Sequence, residues 1–168
     1  MAQNNQELLT RLHREGVDFV VIGGVCSVYY GAPIATFDLD VSCRFDELNL
    51  MCIQRAVQDL HPIHRLAANK VPLELTSELC SRLKNLYLQT DLGILDCLGE
   101  VAGIGGYDQV LERSVVGELP YGKFRFLTME GLIAAKRATG RDRDLQTLRH
   151  LELISELTQK TKPEEPNG

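Results

Sequence analysis

Val20-Val21-Ile22-Gly23-Gly24, followed after thirteen residues by Asp38-Leu39-Asp40-Val41-Ser42-Cys43, is the stretch on which the fold turns. The nearly continuous apolar run over residues 17–22, rich in β-branched side chains, predicts a central strand. A glycine pair between a strand and a helix start lets a phosphate approach backbone N–H groups. Residues 24–30 suit a short helix, stopped by Gly31-Ala32-Pro33. From residue 36 to 43 the pattern alternates, so Phe37, Leu39 and Val41 are expected to pack while Asp38, Asp40 and Ser42 are presented on the other face. Carboxylates at i and i+2 of a strand share a face. The combination points to a site for a metal-bound nucleotide.

Working outward, Leu8, Leu9 and Leu12 have helical spacing within residues 3–15, which end at a Glu15-Gly16 C-cap signal. Asp46 suits the N-cap of a helix over 47–60, with Leu50, Ile53, Val57 and Leu60 inward and His61-Pro62 as its stop. The stretch up to Pro72 reads as loop, and Thr76-Ser77-Glu78 as the start of another short helix. Residues 84–89 and 93–98 predict a hairpin, the second strand carrying an acid, Asp96, inside a buried run. Gly103-Ile104-Gly105-Gly106 lacks the following Lys-Ser or Lys-Thr of a phosphate loop and reads as a flexible connector before a helix over 107–113. A second hairpin spans 115–119 and 123–127, turning at Pro120-Tyr121-Gly122. Thr128 caps a helix over 129–139, Gly140 interrupts, and a last helix starting at Asp142 or Asp144 runs to about residue 158. The expected class is α/β (α+β), with a mixed β-sheet flanked by helices in a single domain over residues 1–159. Helices within 128–159 would pack on that domain, and 160–168 would form a flexible tail.

With 168 residues, 44% apolar and 24% charged, the chain can bury a proper core. No apolar run approaches the ~20 residues of a membrane span, and the first residues lack a signal-peptide pattern. The expectation is therefore a cytoplasmic protein without a membrane partner. A net charge of −5 argues against a chain that is basic as a whole for nucleic-acid binding. Five scattered cysteines without a C-x-x-C pair argue against both a disulfide framework and a zinc knuckle. Cys43 and Cys97 flank the acids with nothing to lower a thiol pKa. His61 and His64 read as surface histidines.

The carboxylates suggest the chemistry. Mg²⁺ takes hard oxygen ligands from carboxylates and substrate phosphates. Asp38 and Asp40 supply two, and Asp96 is a third if its strand lies alongside. Three carboxylates can hold two ions ~4 Å apart for an in-line phosphoryl displacement. A buried acid such as Asp96 requires a cation, a metal or a hydrogen-bond network.

Ile22-Gly23-Gly24, the thirteen-residue spacer, Asp38-Leu39-Asp40-Val41 and the later Leu95-Asp96-Cys97 together resemble the DNA polymerase beta-like nucleotidyltransferase superfamily. Residues 8 to about 151 look more closely like small prokaryotic stand-alone nucleotidyltransferases, many of them toxin–antitoxin or phage-defence components. The matching segments include 16–24, 92–96 and Lys136-Arg137-Ala138-Thr139-Gly140-Arg141-Asp142-Arg143-Asp144.

The resemblance implies transfer of a nucleoside monophosphate from an NTP donor to an acceptor hydroxyl, with release of pyrophosphate. It makes Asp38, Asp40 and Asp96 the catalytic and metal-binding acids, for two Mg²⁺ ions or Mn²⁺. Asp96 would also activate the nucleophile. The implied nucleotide-binding set is Gly23, Gly24, Ser27, Thr36, Lys136 and Arg141. Arg137, Arg141 and Arg143 also suit a helix C-terminus on electrostatic grounds alone, and Asp144 suits pairing with one of the nearby cations. The acceptor stays open among a protein hydroxyl, a tRNA 3′ end and a small molecule such as an aminoglycoside, and a cognate partner protein is compatible with the resemblance. The lack of a large second domain tilts the expectation towards a protein or small acceptor, or reliance on a partner chain. Relatives often carry arginine where Ile34 follows Pro33, which leaves a second reading: a catalytically degenerate nucleotide-binding or interaction subunit of the same fold.

Overall fold

Burial of Leu8, Leu9 and Leu12 seats the first helix, α1 (Asn5–Arg14), whose N-terminus is capped by the Asn4 side chain. Each such side chain contributes roughly 1.5–3 kcal/mol when removed from water. In the computed structural model residues 3–160 are described, except for the side chain of Arg143. After α1 come β1 (Phe19–Val21), α2 (Gly23–Tyr29), β2 (Asp38–Cys43), α3 (Glu47–Val57), β3 (Ile63–His64), β4 (Val71–Pro72) and α4 (Ser77–Cys80). The hairpin β5 (Asn85–Thr90) and β6 (Gly93–Leu98) follows, then β7 (Glu100–Val101), β8 (Gly105–Gly106) and α5 (Tyr107–Glu112). The chain continues through β9 (Ser114–Leu119), β10 (Gly122–Leu127), α6 (Met129–Thr139) and α7 (Asp142–Lys160).

Eight strands form one sheet in the order β4-β3-β5-β6-β2-β1-β10-β9. The β2–β6 and β1–β10 pairs are parallel and the other neighbours antiparallel, which is the mixed sheet expected. Helices flank it: α1 packs on α3 and β2, α5 on β1 and β2, and α6 on α2 and α7. Leu39, Val41, Leu50, Ile53, Leu86, Leu88 and Leu95 are all essentially buried in the core beside α1.

Local readings needed correction in four places. The stretch 61–72 is not all loop, because β3 and β4 extend the sheet there with strands too short to show a period. The glycine-rich connector contains β8, paired with β7 in a small second sheet. Phe37 does not pack: it precedes the first residue of β2 and is 76% exposed. Ser42 is not presented but wholly buried, on the strand against which α5 packs. His61 is exposed in a left-handed conformation, and its hydrogen bond to Asp91 raises its pKa, while His64 is half-buried in β3. Residues 161–168 of the expected tail lie outside the described residues. No helix among the described residues is long and apolar enough to cross a membrane.

Asn49 ties the start of β1 to the end of β2. Its side-chain oxygen accepts from the Asp18 N–H at 2.7 Å, and its amide donates to the carbonyls of Asp18 and Arg44 at 3.1 and 2.8 Å. The side chain is buried, so truncation leaves backbone groups without partners. Asn49→Ala is expected to lower unfolding free energy by about 2–3 kcal/mol, read as a lower urea midpoint at unchanged slope.

Candidate active site

Parallel pairing of β2 with β6 sets the centre of the site, because its register places Asp40 opposite Asp96 and Asp38 opposite Ile94. Side chains at paired positions share a face. One carboxylate oxygen from each of Asp38, Asp40 and Asp96 lies within 4.8 Å of the other two. Such a set of hard oxygen donors fits a divalent cation such as Mg²⁺ or Mn²⁺.

The glycine turn closes on these acids from the β1 side. The Ile22 N–H donates to the Asp40 carbonyl at 3.1 Å, and Gly23 turns into α2 with φ of 63°. A Cβ on Gly23 would stand 2.1 Å from Asp40 Oδ2, and one on Gly24 would stand 2.8 Å from the Thr36 methyl. Glycine at position 23 therefore satisfies both a left-handed backbone and contact with a carboxylate.

Beside the acids lies a cavity of about 530 Å³. Gly23, Gly24, Thr36, Asp38, Asp40, Lys136 and Arg141 of the expected set line it, with an apolar wall that includes Ile34, Leu98, Val101 and Leu132. Two expected residues are absent from the lining. Ser27 is buried and donates to the Gly23 carbonyl at 2.9 Å, so it secures the first turn of α2. Asp96 sits behind its two companions with a side chain 7% exposed.

Lys136 reaches the cavity as half of an ion pair. The chain leaves α6 through Gly140, left-handed at φ 61°, and returns as α7, which brings Asp144 back onto Lys136. Lys136 Nζ lies 3.0 Å from Asp144 Oδ1, and Thr139 Oγ1 donates to Asp144 Oδ2 at 3.0 Å. Asp144 thus pairs with a neighbouring cation, as its position suggested. Arg137 pairs with Glu152 of α7, and Arg141 is exposed at the cavity wall.

The cation that the buried Asp96 requires is Arg65, which sequence reasoning did not single out. Its Nε donates to Asp96 Oδ1 at 2.9 Å and its second nitrogen to Oδ2. The hydrogen bond to Asp96 raises the Arg65 pKa against the effect of burial, and the charges of Asp96, Asp38 and Asp40 add to the rise. The need for a partner was the available signal; which cation would meet it was hidden by a sequence separation of 31. Burial pushes the Cys26 thiol up to about 12 and that of Cys43 well above its usual range, so neither offers a reactive thiol.

No family model matches the chain, and no curated protein matches it by sequence. Among solved structures it is similar to a Thermotoga maritima protein provisionally assigned as a nucleotidyltransferase. The TM-score is 0.54 and the identity 21%, over 86% of this chain and 88% of the other. That likeness gives this chain a nucleotidyltransferase-like fold.

Gly23→Ala is expected to weaken Mn²⁺ binding, followed by electron paramagnetic resonance, because the new methyl must displace Asp40 Oδ2. Its left-handed backbone adds an instability of about 1–2 kcal/mol, read separately by urea unfolding. A change in stability with unaltered Mn²⁺ affinity would remove Asp40 from the ligand set.

Proposed function

We propose that this protein, as a single catalytic domain over residues 1–159, moves a nucleoside monophosphate from an NTP to an acceptor hydroxyl and releases pyrophosphate. The observation that carries the reading is the convergence of three carboxylates from two paired strands against the Gly23 turn, beside a cavity of nucleotide size. In this proposal Asp38, Asp40 and Asp96 hold Mg²⁺, or Mn²⁺ in its place. Divalent cations bound there would neutralise charge developing on the attacking and leaving oxygens of an in-line displacement.

The chain's own residues then have distinct tasks. Gly23 and Gly24 let the turn close onto Asp40 and Thr36 at the cavity wall, where a Cβ on either would overlap those side chains, and their backbone is the part proposed to hold the triphosphate. Arg141, exposed on the cavity wall, supplies positive charge for the triphosphate tail. Lys136 contributes a charge largely balanced by Asp144, so its role is directional more than electrostatic. The apolar wall of Ile34, Leu98, Val101 and Leu132 excludes water around a flat base. Asp96 is the carboxylate proposed to take the proton of the acceptor hydroxyl.

The acceptor in this reading is a protein hydroxyl, a tRNA 3′ end or a small molecule, within a toxin–antitoxin or defence setting that includes a cognate partner. Ile34 supports a second reading, a nucleotide-binding subunit without transferase activity. It lines the cavity with an apolar side chain where the resemblance leads one to expect arginine.

Transfer of label from α-phosphate-labelled NTP to acceptor, with matching pyrophosphate release, separates the two. Asp40→Ala is expected to abolish both while the fold persists; transfer retained by that variant refutes the metal assignment. Mg²⁺-dependent nucleotide binding without pyrophosphate release, tested against all three acceptor classes, would favour the subunit reading.

A further inference from the structure

Arg65 is held in place from three directions. Its backbone N–H donates to the Tyr87 carbonyl at 3.0 Å, continuing the β3–β5 ladder by one residue. Its guanidinium carbon lies 5.4 Å from the centre of the Tyr87 ring. Tyr87 is the residue directly opposite Asp96 across β5 and β6, so the ring delivers the guanidinium to that carboxylate. Both Asp96 oxygens then receive an N–H, a two-pronged arrangement open to arginine and closed to lysine.

The Asp96 side chain is 7% exposed and Arg65 29% exposed, so water screens this pair poorly. Asp38 and Asp40 add two more carboxylates within 4.8 Å. A divalent cation approaching Asp96 meets oxygens already engaged by a positive group, and the two charges repel. We propose that Arg65 is a resident counter-cation that competes with divalent metal for Asp96, so that loading of this carboxylate proceeds by displacement of the guanidinium. The inference rests on the reading of the triad as a metal site. It deepens that reading by naming the exchange that sets metal affinity.

The opposite possibility, that Arg65 only orients Asp96 for the metal, predicts the opposite sign. The test is Mn²⁺ titration of the full chain without nucleotide, read by electron paramagnetic resonance, for wild type, Arg65→Gln and Arg65→Lys. Removing one partner of a buried pair leaves the other charge exposed to whatever cation can reach it. Arg65→Gln should therefore bind Mn²⁺ roughly tenfold tighter. Asp96→Asn added to Arg65→Gln should cancel the gain. Arg65→Lys, which keeps the charge but loses the two-pronged grip, should fall between wild type and Arg65→Gln. Circular dichroism identifies a variant that fails to fold, and if Arg65→Gln does, Arg65→Lys decides by the same sign. Mn²⁺ affinity equal to or weaker than wild type in a folded variant overturns the proposal and leaves the metal site standing. No Mn²⁺ binding by wild type or either variant overturns both.

Discussion

The parallel pairing of β2 with β6 is the constraint on which the site depends. A slip of one residue in that register would turn Asp96 to the opposite face of the sheet from Asp40. The core fixes it, since Leu39 and Val41 on β2 and Leu95 and Cys97 on β6 are all fully buried at paired positions. Four apolar side chains on one face thereby hold three carboxylates together on the other. Exposing that apolar set would cost several kcal/mol.

Asp96, the deepest of the acids, has arginine on both oxygens, and Asp38 and Asp40 line the cavity. On the far wall Lys136 and Asp144 compensate each other, with Thr139 holding the second oxygen of the aspartate. The cavity is therefore lined by polar groups whose geometry is fixed before any ligand arrives, and Arg141 is its exposed cation. Prior fixation of this kind reduces the ordering cost of binding.

Most of the fold was legible in the sequence because its elements carry strong periodic signals: α1 through its leucines, β2 through alternation, α6 through Thr128 and Gly140. Asp38, Asp40 and Asp96 were legible for related reasons, two by sharing a strand face and the third by lying inside a buried run. Phe37 escaped because alternation governs only residues inside a strand, and it stands one residue before β2. Arg65 escaped because its contact depends on a two-residue strand, β3, which brings a nominal loop onto the β5–β6 hairpin. Ser27 matched a motif position, yet its hydroxyl is turned to the Gly23 carbonyl by the helix it occupies.

The contact between the empty side of Gly23 and the Asp40 carboxylate links the histories of the two positions. Because a methyl at 23 and the carboxylate at 40 claim the same space, the effect of changing one depends on what occupies the other. A lineage that discarded the acid would lose the steric objection at 23 and keep only the backbone one. Glycine at 23 is therefore held in place partly by the acid at 40, and drift at the turn would follow loss of the chemistry more easily than precede it.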